Sequence, residues 1–214
     1  MTDDSLAVIG AEVRACRMCK LSQTRKVGVP GEGDPHAEIM FIGEGPGFHE
    51  DQQGRPFVGP AGQLLTEMLE LIGLRRQDVF ITNVVRCRPP GNRDPLPDEL
   101  SACDTYTQRQ IETLEPKLIV TLGRFSMARF FGPGPMRELH GRSRDWNGIT
   151  CLAMYHPAAI LRTPTPDMRR IYADDFRKIP LLLAEARGRR EQATPSPAPA
   201  VHEPTRQLDQ LPLF

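Results

Sequence analysis

Apolar residues gather in four short runs along the chain: 38–43 (EIMFIG), 79–85 (VFITNVV), 117–123 (KLIVTLG) and 149–155 (ITCLAMY). Each has the length of a strand and is apolar at consecutive positions, as strands buried on both faces are. Between the runs the apolar spacing changes to three and four. Residues 60–73 set Leu64, Leu65, Met68, Leu69 and Ile72 on one helical face and stop at Gly73, a residue suited to a helix C-terminus. Residues 97–114 open with Pro97-Asp98-Glu99, good first-turn chemistry. A short helix is predicted over 124–131, and a last one over 167–187, ending before Gly188. Strands alternating with helices predict an α/β fold with a parallel sheet covered on both faces. Ligands of such sheets bind outside the carboxyl ends of the strands. The loops to inspect are therefore 43–58, 83–95, 123–126 and 156–166.

After Gly188 the periodicity stops and the composition turns to Pro, Ala and polar residues. This divides the chain into a domain over 1–188 and a tail over 189–214, with 189–206 read as a disordered linker. Proline and glycine, 21 and 18 of 214 residues, exceed their combined average of about 12%. Loops and the tail are where that excess belongs. Lys+Arg and Asp+Glu are both 27, so the net charge is zero and any nucleic-acid reading must rest on local clusters. The N-terminus has no basic segment followed by an apolar one, and no run approaches the ~18 apolar residues of a membrane span. A monomeric, soluble, cytoplasmic protein is the expectation.

Five cysteines in such a chain do not suggest a disulfide framework. Cys16 and Cys19 form a C-x2-C pair, and Cys87 and Cys103 make a second, wider one. Four thiolates are the count that a tetrahedral zinc or a [4Fe–4S] cluster needs; reduced, unpaired thiols are the alternative. Cys151 lies in an apolar run and reads as a small core residue.

The first post-strand loop is GEGPGFHEDQQGRPFVGPAG. Its glycines allow a sharp turn and close backbone approach, as in a phosphate cradle, yet it carries Glu44, Glu50 and Asp51. Phe57 stands in the same loop, either packing beneath it or stacking on a ligand. Asn83 ends the second strand, where an amide is either a strand-end cap or a reader of a nucleobase edge. His156 follows the fourth strand and is followed by Pro157; at a sheet mouth it can donate to a developing anion. Together these residue types suit a small planar ligand. Arg86, Arg88, Arg93, Arg124, Arg162, Arg169 and Arg170 are expected around the same rim, where some can grip phosphates.

GEGPGFHED, GRPFVGPAGQLL, TNVVRCRPPGNRDPLPDEL and HPAA, in this order and with the four cysteines, resemble the family 4 uracil-DNA glycosylases, the iron–sulfur branch of that superfamily. The resemblance runs from about Cys16 to about residue 185. It implies a three-layer α/β/α fold around a four-stranded parallel sheet. It implies hydrolysis of the N-glycosidic bond of uracil in double- or single-stranded DNA, after the base leaves the stack. Phe57 would stack on the uracil, Asn83 would read its O4/N3 edge, and the Gly45 backbone and His156 would face O2. Glu50 would press against C5 to reject a thymine methyl, or organise the pocket. Glu44 would position water or stabilise the cationic sugar. Other branches carry a water-activating Asp where this chain has Gly45, so leaving-group stabilisation takes the larger share. Arg88, Arg93 and Arg124 would contact DNA, and Leu161 or Arg162 would enter the duplex at the vacated base. Cys16, Cys19, Cys87 and Cys103 would hold a structural [4Fe–4S] cluster.

A sister branch traps uracil covalently through a His in a basic insertion. The stretch CRPPGNRDPLPDELSACD has no His and no such insertion, which favours turnover over a covalent or non-catalytic uracil-DNA-binding protein. At the C-terminus, Gln210, Leu211, Leu213 and Phe214 resemble the short peptide that docks bacterial repair proteins on the sliding clamp. The alternative is an apolar end that folds back on its own domain.

Overall fold

The structure is a computed structural model describing residues 5–193. Its centre is a six-stranded sheet in the order β1-β3-β2-β4-β6-β5. The four inner strands are β2 (Ile39–Gly43), β3 (Phe80–Asn83), β4 (Leu118–Leu122) and β6 (Ile149–Met154), and they pair in parallel. Every residue of the four is buried. This is why they read as unbroken apolar runs instead of alternating ones.

The two edges were not foreseen. β1 (Glu32–Gly33) and β5 (Ser143–Trp146) add antiparallel strands to β3 and β6. β1 is too short to carry a pattern, and β5 is exposed and polar along most of its length. A local signal for β5 is nevertheless present in the sequence. Asn147 and Gly148 both adopt positive φ, 52° and 81°, in a two-residue turn pairing Trp146 with Ile149. Asn-Gly is the residue pair such a hairpin turn demands.

Alternate side chains of one strand enter opposite cores. Ile39 and Phe41 face a cluster with α3 (Pro60–Leu71) and α8 (Pro166–Ala193), through Leu65, Leu69, Tyr172 and Phe176. Met40 and Ile42 face the other side, with Ile111 of α4 (Pro97–Leu114) and Phe130 of α5 (Arg124–Phe131). The three-layer expectation holds, as do the spans of α4 and α5. An N-terminal helix, α1 (Leu6–Ala15), is added to the second face; Ser5 caps it by accepting from the Val8 N–H at 3.2 Å, and Ile9 and Val13 pack on Tyr106.

Short helices also interrupt two of the post-strand loops: α2 (Phe48–Gln53) and α7 (Pro157–Arg162). α6 (Met136–Leu139) precedes β5. Helix α8 runs past Gly188 to Ala193, so the change of composition falls inside the helix. A helical glycine costs about 1 kcal/mol. Here the last turns are anchored by Arg187 to Glu38, Arg189 to Thr150, and Arg190 to the carbonyls of Glu115 and Pro116 at 3.1 and 3.2 Å. The C-terminal peptide Gln210–Phe214 lies outside the described residues.

Candidate active site

Strand order reverses at β2, whose neighbours β3 and β4 lie on opposite sides. At the carboxyl ends there, Gly43 pairs in register with Asn83. A Cβ on Gly43 would collide with the Phe57 ring and with Asn83 Oδ1, so only glycine lets the strand end, the ring and the amide meet. A cavity of about 260 Å³ opens at this point, close to the lower end of ligand-pocket volumes (~300–1,000 Å³). Glu44, Gly45, Glu50, Phe57, Asn83 and His156 all line it, together with Arg93 and Arg162. Three of the four post-strand loops thus deliver the expected residues to one place, and the 123–126 loop contributes none.

Asn83 is buried, and its Oδ1 has no hydrogen-bond partner. A buried unpaired amide oxygen is costly, about 1–3 kcal/mol, and a ligand donor entering the cavity removes that cost. His156 sits at the N-terminus of α7, where its Nδ1 accepts from the Ala158 N–H at 3.1 Å. A neutral ring that accepts at Nδ1 carries its proton on Nε2. Burial, reinforced by the Arg162 charge, pushes the imidazole down to about 4, so the ring is neutral at ordinary pH. The Phe57 and His156 rings lie 5.7 Å apart at 30°.

Phe57 has φ 51°, in the left-handed region that a bulky side chain rarely enters. Both sides of its peptide are held. Arg76 donates to the Phe57 carbonyl at 2.9 Å and the Pro56 carbonyl at 2.7 Å, and pairs with Glu32 at 2.6 Å. Glu50 accepts from the N–H groups of Val58 (2.9 Å), Gly59 (2.8 Å) and Gly47 (3.1 Å). The Glu50 carboxylate is therefore tied to the loop backbone. Arg76 and Glu32 were missed by sequence reasoning. They lie outside the loop, in a short turn and an edge strand, and no motif marks them.

Glu44 lies at the edge of the cavity. Burial, with Asp94 nearby, raises its pKa, while Arg124 and Arg162 oppose that shift. A Cβ at Gly45 would stand 2.7 Å from Val85 Cγ2, so a larger residue there needs Val85 to move.

Residues 30–177 match the family described as Uracil DNA glycosylase superfamily. The chain belongs to that superfamily. It is 51% identical over 186 residues to a protein of Sulfurisphaera tokodaii named Type-4 uracil-DNA glycosylase, covering 82% of this chain and 84% of the relative. Proteins of the same name from Archaeoglobus fulgidus and Thermotoga maritima are 46% and 42% identical, each covering 82% of this chain and 92% and 93% of the relative.

Among the superfamily's expected DNA contacts, Leu161 is 41% exposed at the end of α7, beside Arg162. Arg124 pairs with Asp94 and stacks over Phe125, and Arg88 donates to Asn92 Oδ1 at 2.8 Å. Arg93 is engaged through both terminal nitrogens by buried Glu99, at 2.8 and 2.6 Å, and so fastens its loop to the start of α4. Arg169 and Arg170 pair with Glu67 and Asp167 on α3 and α8. Arg86 is a correction. It is 1% exposed and donates to Thr107 and Gln110, so it is part of the interior and out of reach of a phosphate. Being in the rim segment, it was indistinguishable in sequence from its exposed neighbours.

Arg86 instead faces the cysteines. Cys19, Cys87 and Cys103 pack together, and Cys16 lies beside them at the end of α1. Arg25 donates to Cys87 Sγ at 2.8 Å and to the carbonyls of Arg14 and Cys16 at 2.9 and 2.8 Å. Burial pushes the Cys103 thiol up, and the neighbouring Arg86 charge opposes that shift. Two cations beside four thiols suit an anionic thiolate-held group. Among the described residues no three His, Cys, Asp or Glu side chains draw together as a single-ion site. Cys151 is fully buried in β6, and burial pushes its thiol up to about 12, as expected of an inert core residue.

Proposed function

We propose that this chain removes uracil from DNA by hydrolysing the bond between N1 of the base and C1′ of deoxyribose, leaving an abasic site as the first step of base excision repair. The observation that carries the reading is the buried, unpartnered Asn83 Oδ1 in a cavity shared with Phe57 and His156. Uracil N3–H is a donor of the kind that oxygen lacks. Phe57 offers its ring face to the base. As the bond breaks, its electron pair passes to the uracil, and charge builds at O2. The Nε2–H of neutral His156 meets that oxygen, and a neutral donor gives no proton away when it does so. One such donor contributes roughly 3–4 kcal/mol in hydrolases. Water adds to C1′, and its proton ends on the departing uracil anion by way of solvent; Glu44, which lines the cavity, is the group suited to hold that water or to face the cationic sugar. Glycine at position 45 offers no carboxylate to activate water, which supports giving leaving-group stabilisation the larger share.

Cys16, Cys19, Cys87 and Cys103 are the residues to hold a [4Fe–4S] cluster, which would supply a fixed link between the α1 end and the 87–103 segment. Hydrolysis of the glycosidic bond requires no electron transfer. Within the described residues no helix is long and apolar enough to cross a membrane, and a DNA substrate agrees with a cytoplasmic, nucleoid-associated, monomeric enzyme. The C-terminal Gln210-Leu211-Pro212-Leu213-Phe214 would tether it to the sliding clamp through a linker that raises its local concentration on DNA. Deleting 208–214 is expected to abolish clamp binding and spare excision from short oligonucleotides; clamp binding that survives the deletion overturns this.

The decisive assay incubates the protein with a uracil-containing oligonucleotide and then alkali. Cleavage at the uracil is expected. An intact strand after treatment with a brown preparation absorbing in the visible sinks the proposal.

A further inference from the structure

Phe48 is the only aromatic among the exposed large apolar side chains of the described residues, at 53% exposure. Single exposed apolar residues are common on protein surfaces. This one differs by its setting. It is the first residue of α2, directly after Gly47, which lines the cavity. The Arg88 guanidinium lies over its ring, 5.3 Å from the centroid. Arg88 Nε in turn donates to Oδ1 of Asn92, which also lines the cavity. A continuous ledge therefore runs outward from the cavity wall, from Asn92 through Arg88 to Phe48. Leu161 and Arg162 stand at the end of α7, which supplies the His156 and Ala158 wall.

We infer that Phe48, backed by Arg88, is a stacking platform for the base next to the uracil on the same DNA strand. When a uracil leaves the stack, its neighbour loses a stacking face. An exposed ring beside the cavity mouth can replace that face, and stacking on an aromatic is tolerant of which base it is. The guanidinium adds a cation over the same ring and lies within reach of the strand's phosphates. The platform would matter most in single-stranded substrates, where no opposite strand holds the neighbouring base in place. This inference rests on the uracil-excising reading, and the wild-type chain tests that reading separately in the same assay.

The test compares wild type, Phe48→Ala and Phe48→Trp on two single-stranded oligonucleotides. One carries normal bases around the uracil; the other has base-free tetrahydrofuran nucleotides on both sides of it. Phe48→Ala is expected to raise KM about tenfold on the first. On the second, wild type and Phe48→Ala should have the same KM. Inhibition by free uracil should be equal in all three proteins, because the ledge lies outside the cavity, and Phe48→Trp should restore the wild-type KM. An unchanged KM in Phe48→Ala overturns the inference, as does an equal loss on both oligonucleotides. A wild-type chain that cleaves neither oligonucleotide would count against the uracil-excising reading itself.

Discussion

The candidate uracil cavity and the cysteine region share one stretch of chain, since Asn83 ends the strand that leads to Cys87, yet they differ: one leaves an amide oxygen for a ligand to meet, the other sets two guanidinium groups beside its thiols. In the cavity, Asn83 Oδ1 is left without a partner and His156 is held neutral. Around the cysteines, Arg25 donates to Cys87 and buried Arg86 stands beside Cys103. The first arrangement leaves its cost in place until a ligand arrives, and so favours binding without making release impossible. The second supplies compensating charge permanently, as a resident anionic group requires. On the proposed reading, the chain separates a visiting ligand from a fixed one within a few residues.

Breaking each side separately should give opposite signatures. Asn83→Ala and His156→Ala are expected to lower single-turnover excision by about 10²–10³-fold. Visible absorbance and the unfolding midpoint should hold. Cys87→Ser should do the reverse in order of events: the visible absorbance goes first and the midpoint falls by about 10 °C or more, with activity lost only as the fold is lost. A His156 variant that bleaches, or a Cys87 variant that stays folded and coloured, would collapse the distinction.

A smaller effect is expected where the cavity depends on its support. Arg76→Met frees the carbonyls of Pro56 and Phe57 that now fix the strained φ of 51°. Excision should fall about tenfold and free uracil should inhibit less well, while the melting curve moves little. Arg76→Lys should recover part of the loss, since an ammonium can reach one carbonyl but not span two carbonyls and Glu32. Equal uracil inhibition in wild type and Arg76→Met would show that Phe57 needs no such clamp.

The finest test is of pH. His156 is pushed from 6.5 down to about 4. Between those values the unfolded chain takes up a proton that the folded ring refuses, so stability falls as the pH drops through this window. His156→Gln should flatten that slope in melting curves. Glu44 shifts the other way, raised by burial and by nearby Asp94. The acid limb of the excision profile should therefore follow Glu44 and vanish in Glu44→Gln. An acid limb retained in that variant would move the titrating role elsewhere.

Much of this was legible in the chain. Four unbroken apolar runs marked the inner strands because both faces of the sheet are covered. Gly43, Asn83 and His156 stood at strand ends, so the rule for carboxyl-end loops gathered them before any geometry was known. The edge strand β5 was missed although Asn147-Gly148 marked its turn, because an exposed strand has no apolar alternation to display. Helix α8 outran its apparent end because arginine contacts to Glu38 and Thr150, remote in sequence, outweigh the local cost of Gly188.

By itself the sequence determined the α/β class, the two apolar faces, the superfamily motifs and the residue types gathered at the sheet mouth, since these follow from periodicity and local chemistry. Only the tertiary structure decided which of two like residues does what. Arg86 and Arg88 are two positions apart, yet one is sealed beside the cysteines and the other lies on Phe48 at the cavity mouth. Glu50 and Arg76 grip one strained loop from opposite sides, through hydrogen bonds to backbone atoms. Every residue carries those same backbone groups, so no sequence pattern can announce which of them a distant side chain will hold.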